Sequence, residues 1–217
     1  MKIYFFPGLG ADETLAKYHR LDGHDIEWLR WPKPIKASWN DFLEDFLRVN
    51  AIEEGAIFAG ISLGGVVAQK LASRKKPKGL ILISSFSTSK SVSPFLYLFK
   101  PILSYLPAFI FDVRLLPTFV ARFFRGKGND EAASILSAMM RKLGTRNIKN
   151  MCILSLDVHA QKNGDCPILS IHGEKDRIIR SKGRKVDYMI KDGGHIISIS
   201  HHEEVNKIIL DWVKGFD

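Results

Sequence analysis

Apolar and polar positions along the chain follow two periods that take turns. KIYFF, residues 2–6, is a short apolar run ended by Pro7 and Gly8, and it predicts a buried strand. HDIEWLRW, residues 24–31, alternates enough for a second strand and stops at the turn-forming PKP. GAIFAG (55–60) and GLILIS (79–84) predict a third and a fourth strand. The fourth is apolar on both faces, which suits a central parallel strand covered by helices. CPILSIHG (166–173) predicts a fifth strand and KVDYMI (185–190) a sixth. Between these runs the period changes to that of a helix. In SWNDFLEDFLRVN, Trp39, Phe42, Leu43, Phe46 and Leu47 share one face, with Ser38 as N-cap and Asp41 in the capping-box position. A second helix is expected over 63–74. A last one is expected in SHHEEVNKIILDWV, with Ser200 and Glu203 as capping box and Val205, Ile208, Ile209, Trp212 and Val213 on the apolar face.

Residues 86–160 break the rhythm. They are rich in Phe, Tyr and Leu, are punctuated by Pro94, Pro101, Pro107 and Pro117, and fit several helices but no strands. Strands alternating with helices on either side imply an α/β fold: a mostly parallel sheet of about six strands with helices on both faces. The core would comprise residues 1–85 and 161–217, with 86–160 as inserted helices outside the sandwich.

Composition narrows the picture. A chain of 217 residues is enough for one well-buried domain. Cys152 and Cys166 make neither a disulfide framework nor a CxxC metal spacing, which favours a cytoplasmic setting. The uninterrupted apolar run before Pro7 is only four residues long, too short for a signal-peptide core. The most membrane-like stretch, residues 91–111, holds Lys100 and three prolines, and reads as a buried or interfacial helical segment. The net charge is +9, from 32 Lys and Arg against 23 Asp and Glu, clustered in KLASRKKPK and RIIRSKGRK. Such clusters read first as solvated surface; the sharper reading is a weak contact with an anionic membrane or substrate. Nothing has the spacing of a nucleic-acid-binding module, so that partner is not expected.

The chemistry is concentrated in FAGISLGGVVAQ, residues 58–69. Gly60-Ile61-Ser62-Leu63-Gly64 is a G-x-S-x-G sequence with a strand before it and a helix after it. A serine on so tight a turn needs small neighbours two positions away on either side. The turn offers its hydroxyl at the C-terminal edge of the sheet, and the N–H of Leu63, at the helix start, faces an oxygen that becomes negative. A serine hydroxyl needs a base, and the base needs an orienting carboxylate. HGEKDRII, after the fifth strand, offers Glu174 and Asp176; DGGH, after the sixth, offers His195. In FPGLGAD the Gly8-Leu9-Gly10 turn can aim the N–H of Leu9 at the same oxyanion.

With FPGLGAD, GISLGG, HGEKDRII and GGH, spanning residues 5–195, the sequence resembles the α/β-hydrolase family. The resemblance implies Ser62 as nucleophile, His195 as base, Asp176 as acid, and Leu9 and Leu63 as oxyanion-hole amides. It implies a cap inserted in a trimmed core: the first strand here is the one that precedes the oxyanion loop, so six strands are expected. Two further departures are the short segment of 18 residues between Asp176 and His195, and Arg180 where proline is common. The sharp turn that Gly173 allows favours Asp176 over Glu174, which is expected to brace the loop. His172 is expected to support that loop, His201 and His202 to face solvent, His19 and His24 to lie on the surface, and Asp157 and Asp165 to sit on the wrong side of the sheet.

The reading is a small capped serine hydrolase. It would cleave an ester or thioester with a lipophilic acyl group through an acyl-enzyme, without metal or organic cofactor. The alternatives are carbon–carbon hydrolysis, lyase or perhydrolase chemistry on the same residues, or a ligand-binding sensor without catalysis.

Overall fold

The computed structural model describes residues 1–112, 130–159, 166–181 and 185–216. Six strands, β1 (Lys2–Phe6), β2 (Asp25–Trp28), β3 (Ile57–Ile61), β4 (Gly79–Ile83), β5 (Ile168–Gly173) and β6 (Tyr188–Ile190), form one sheet. Their order is β2-β1-β3-β4-β5-β6 and every pairing is parallel. All residues of β3 and β4 are buried, as expected of strands covered on both faces. The edge strands β2 and β6 are shorter than the hydrophobic pattern predicts. Each has a neighbour on one side alone, β1 and β5 respectively, and β6 pairs only with Ile171–Gly173, the C-terminal half of β5.

Side-chain alternation in β1 assigns the helices to faces. Phe6 stacks on Phe46 of α1 (Trp39–Val49), on the face that also carries α2 (Leu63–Lys75). The two helices are joined there by the Arg74–Glu44 pair and by Lys70 over the Trp39 ring. Phe5 points to the other face, where it stacks on His19 and Trp28, and His19 Nδ1 lies 2.7 Å from Asn206 Oδ1. Asn206 belongs to the last long helix, His202–Val213, whose Val205, Ile209 and Val213 are buried. His19 is therefore a core residue, contrary to the surface placement its local sequence suggests. Burial pushes its pKa down to about 4 against the hydrogen bond to Asn206.

Both expected capping boxes are absent. Ser38 stands at the start of α1 with extended backbone, but its side chain makes no capping hydrogen bond. At the last helix the break falls at His201, because the buried Ile197 and Ile199 extend helical structure one turn earlier, over Ile197–Ser200. The Ser200 hydroxyl donates to Ile196 O instead of capping the helix.

Between β4 and β5 the described residues are mainly helical: single turns at Pro94–Tyr97, Lys100–Leu103 and Ala108–Phe111, then α3 (Asp130–Leu143) and α4 (Thr145–Leu156). The expectations for Pro117 and Asp165 lie outside the described residues. Among the described residues, no helix is long and apolar enough to cross a membrane.

Candidate active site

The order of the strands creates the site. The chain passes from β1 outward to β2 and returns to add β3 on the other side of β1. The connections after β1 and β3 therefore diverge and leave a crevice at the C-terminal edge of the sheet, the usual ligand position in open parallel sheets. Loop 7–12 follows β1 on one side of the crevice, and Ser62 follows β3 on the other.

Ser62 has φ 51° and ψ −117°, a conformation costly for a residue with a Cβ. Its surroundings hold it there. The Ser62 N–H donates to Ile83 O at 2.9 Å, and its carbonyl accepts from Gly65 N at 3.0 Å and from Ser85 Oγ at 2.7 Å. The flanking glycines are needed for close approach. A Cβ on Gly60 would lie 2.3 Å from Gly65 Cα, and one on Gly64 would lie 2.1 Å from Phe6 O. The turn is thus wedged between its own helix and the end of β1. Gly65 is tight too: a Cβ there would meet Ser85 Oγ at 2.2 Å. That requirement does not show in the G-x-S-x-G spacing.

His195 reaches Ser62 from the loop after β6, its Nε2 2.9 Å from Ser62 Oγ. Its Nδ1 lies 2.8 Å from Asp176 Oδ2. Asp176 is almost wholly buried, and its other oxygen accepts from Ile178 N at 2.8 Å and Ile179 N at 2.9 Å. Burial alone would raise its pKa. The charge and hydrogen bonds offered by His195 and His172 outweigh this and hold the carboxyl below the usual carboxylate range.

His172, fully buried on β5, braces the acid loop. Its Nε2 lies 2.9 Å from Ile179 O and 3.2 Å from Asp176 Oδ2. A carbonyl can only accept, so Nε2 carries a proton and donates. Nδ1 is buried without a hydrogen-bond partner among the described residues. Glu174 is exposed and accepts from Asp192 N at 3.1 Å. It braces the loop away from His195.

The chain turns after Gly173 as its sequence context suggests, Asp176 N donating to Gly173 O at 3.2 Å, and Gly173 serves a second purpose as well. A Cβ there would lie 2.2 Å from Gly194 O, so glycine lets the acid loop and the His195 loop touch. Lys175 N donates to Gly193 O at 2.7 Å and Glu174 N to Ile190 O at 3.0 Å, stitching the two loops together. A third strap is invisible in the sequence: Val92 pairs antiparallel with Ile179, Ser93 N donates to Ile178 O and Arg180 N to Ser91 O, each at 2.7 Å.

Among the described residues, neither Leu9 N–H nor Leu63 N–H has an acceptor in the protein. Leu63 opens α2, where the helix dipole places partial positive charge. Leu9 lies in the loop that α3 covers: Asp12 N lies 3.4 Å from Met139 Sδ, and a Cβ on Gly10 would strike Met140 Cγ at 2.3 Å. The rival residues lie elsewhere. Asp157 pairs with Lys100, His202 packs edge-on against Tyr18, His201 is partly exposed beside Ser200, and His24 is partly buried before β2. A cavity of about 650 Å³ lined by Met1, Asp22, His24, Asn206 and Lys207 opens at the opposite, N-terminal edge of the sheet. No cluster of His, Cys, Asp and Glu among the described residues could hold a metal ion.

A family model described as the alpha/beta hydrolase family matches residues 5–208. No curated protein matches the chain. Among solved structures, the chain is similar to the enol-lactonase from Burkholderia xenovorans, with TM-score 0.77 and 14% identity over 98% of this chain and 91% of that one. It is similar to a thermophilic esterase from Thermogutta terrifontis, with TM-score 0.72 and 17% identity over 99% and 90% of the two chains. A meta-cleavage product hydrolase from Pseudomonas fluorescens aligns with TM-score 0.69 and 15% identity over 100% and 92%. At such identities the likeness establishes the fold.

Proposed function

The chain belongs to the alpha/beta hydrolase family, and from that premise we propose that it is a serine hydrolase that cleaves an ester or thioester through an acyl-enzyme. The observation that carries the reading is the continuous chain Ser62 Oγ, His195 Nε2, His195 Nδ1, Asp176 Oδ2, with contacts of 2.9 and 2.8 Å.

Asp176, ionised, accepts the Nδ1 proton of His195 and so leaves the Nε2 lone pair for the Ser62 hydroxyl. As Oγ bonds to the carbonyl carbon, its proton passes to Nε2 and the carbonyl π pair moves to oxygen. The N–H groups of Leu9 and Leu63 stabilise that oxyanion. The bond to the leaving oxygen or sulfur then breaks, and that atom takes the proton from Nε2. Water, deprotonated by Nε2, attacks the acyl-enzyme in the same manner; breaking the bond to Oγ frees the acid and returns the proton to Ser62. His172 keeps Asp176 aimed and ionised without touching substrate.

The lipophilic character of the acyl group rests on the insertion between β4 and β5, which acts as a cap over the crevice. Its support is the contact of Met139 and Met140 with the loop that carries Leu9. The test is a panel of p-nitrophenyl esters from acetate upwards. The reading expects kcat/KM to rise with chain length to a medium-chain optimum. Absence of hydrolysis across the panel, by protein that is folded, would refute it.

A further inference from the structure

The surface of the single helical turns between Pro94 and Phe111 takes no part in the chemistry above, yet among the described residues it is the most apolar exposed region. Leu98, Phe99, Ile102, Tyr105, Phe109 and Ile110 are 74, 37, 47, 85, 65 and 40% exposed. At ~200 Å² per large side chain this is on the order of 700 Å² of accessible surface. Soluble monomers rarely expose so large an apolar patch without a partner for it.

The patch is held in place. Leu103 is buried beneath it, and Lys149 of α4 donates to Ser104 O and Leu106 O, both at 2.7 Å. Lys100 is tied to Asp157 and lies over the Tyr97 ring. These contacts fix the turns as a rigid raft with the remaining apolar side chains outward. Short helical turns with exposed aromatic and aliphatic side chains suit the boundary between lipid headgroups and acyl chains.

Charge selects the occupant. Residues 86–160 contain ten Lys and Arg against four Asp and Glu, six of the nine net positive charges in the chain. A second copy would bring together two chains of net charge +9 and be repelled. A leaflet containing anionic lipid complements the charge and accepts the apolar side chains. We propose that the 94–111 raft docks this protein on an anionic membrane surface, lying in the interface without spanning it.

The test is flotation of the full chain with vesicles of phosphatidylcholine alone, or with about one-third phosphatidylserine, at about 50 mM and about 500 mM salt. The expected result is binding to the anionic vesicles at low salt, weaker at high salt and weaker still on neutral vesicles. The combined variant Leu98→Ser, Tyr105→Ser, Phe109→Ser should lose at least ~10-fold in partitioning while melting at the wild-type temperature. If it melts lower, Tyr105→Ser alone, the most exposed position, serves as the comparison. No binding to anionic vesicles at low salt overturns the proposal. So does equal binding by the patch variant, or equal binding to neutral vesicles. Self-association by sedimentation equilibrium that the variant abolishes, without vesicle binding, would assign the raft to a second copy.

Discussion

Replacing Asp176 by Asn keeps the shape of the side chain and removes its charge, and the surrounding hydrogen bonds decide how the new amide is oriented. One carboxylate oxygen accepts from two backbone amides, at 2.8 and 2.9 Å, and the other from His195 Nδ1; His172 Nε2, whose main acceptor is Ile179 O at 2.9 Å, lies 3.2 Å from that second oxygen. Turning the new NH₂ toward the amides would leave buried donors facing donors, at roughly 1–3 kcal/mol for each unsatisfied group. The carboxamide oxygen therefore stays on Ile178 and Ile179, and the NH₂ faces His195. Nδ1 must then accept, which moves the ring proton to Nε2, so the imidazole donates to Ser62 instead of taking its proton. The expected loss in kcat is on the order of 10⁴, about 5.5 kcal/mol in barrier, with little change in KM. Glu174→Gln, at an exposed position bonded to Asp192 N, should stay within a factor of about two. Both are measured on the same p-nitrophenyl ester. An Asp176→Asn enzyme within ten-fold of wild type, or a Glu174→Gln enzyme as damaged as the first, would refute the reasoning.

Other outcomes rest on the same geometry. Ser62→Gly relieves a backbone at φ 51° and should raise the melting temperature by ~2–4 °C, near 1 kcal/mol, while abolishing turnover; calorimetry and the ester assay read the two effects. Gly64→Ala forces a Cβ to within 2.1 Å of Phe6 O and should destabilise by roughly 3 kcal/mol or more in urea unfolding. His19 is neutral when buried, with a pKa lowered from 6.5 to about 4, so the unfolded chain binds its proton first as pH falls. Its stabilising effect is complete above about pH 6.5 and declines by roughly 3 kcal/mol towards about pH 4; His19→Leu should flatten that slope in unfolding curves taken across the window.

What was legible in the sequence was what local pattern determines. The runs around Phe58 and Leu82 announce strands buried on both faces. The glycines around Ser62 announce a turn too tight for side chains. What escaped depends on partners distant in the chain. His19 looks polar and local, but Phe5, Trp28 and Asn206 enclose it. The capping signatures at Ser38 and Ser200 failed for want of a capping bond, the hydroxyl of Ser200 going to Ile196 O. The short segment from Asp176 to His195 looks too spare to position an acid. The structure compensates by stitching the acid loop to Gly193, to Ile190 and to the Ser91–Ser93 strap. No periodicity marks such pairings, because they consist of backbone bonds between loops.

The central claim is that Ser62 is a nucleophile activated by His195. Its most direct test is intact-mass and peptide-mapping mass spectrometry after exposure to a fluorophosphonate, on the wild-type chain and on His195→Gln. The account expects a single adduct on Ser62 in wild type, formed orders of magnitude more slowly in His195→Gln. An unlabelled but folded wild-type protein, or an adduct on any residue other than Ser62, would contradict it.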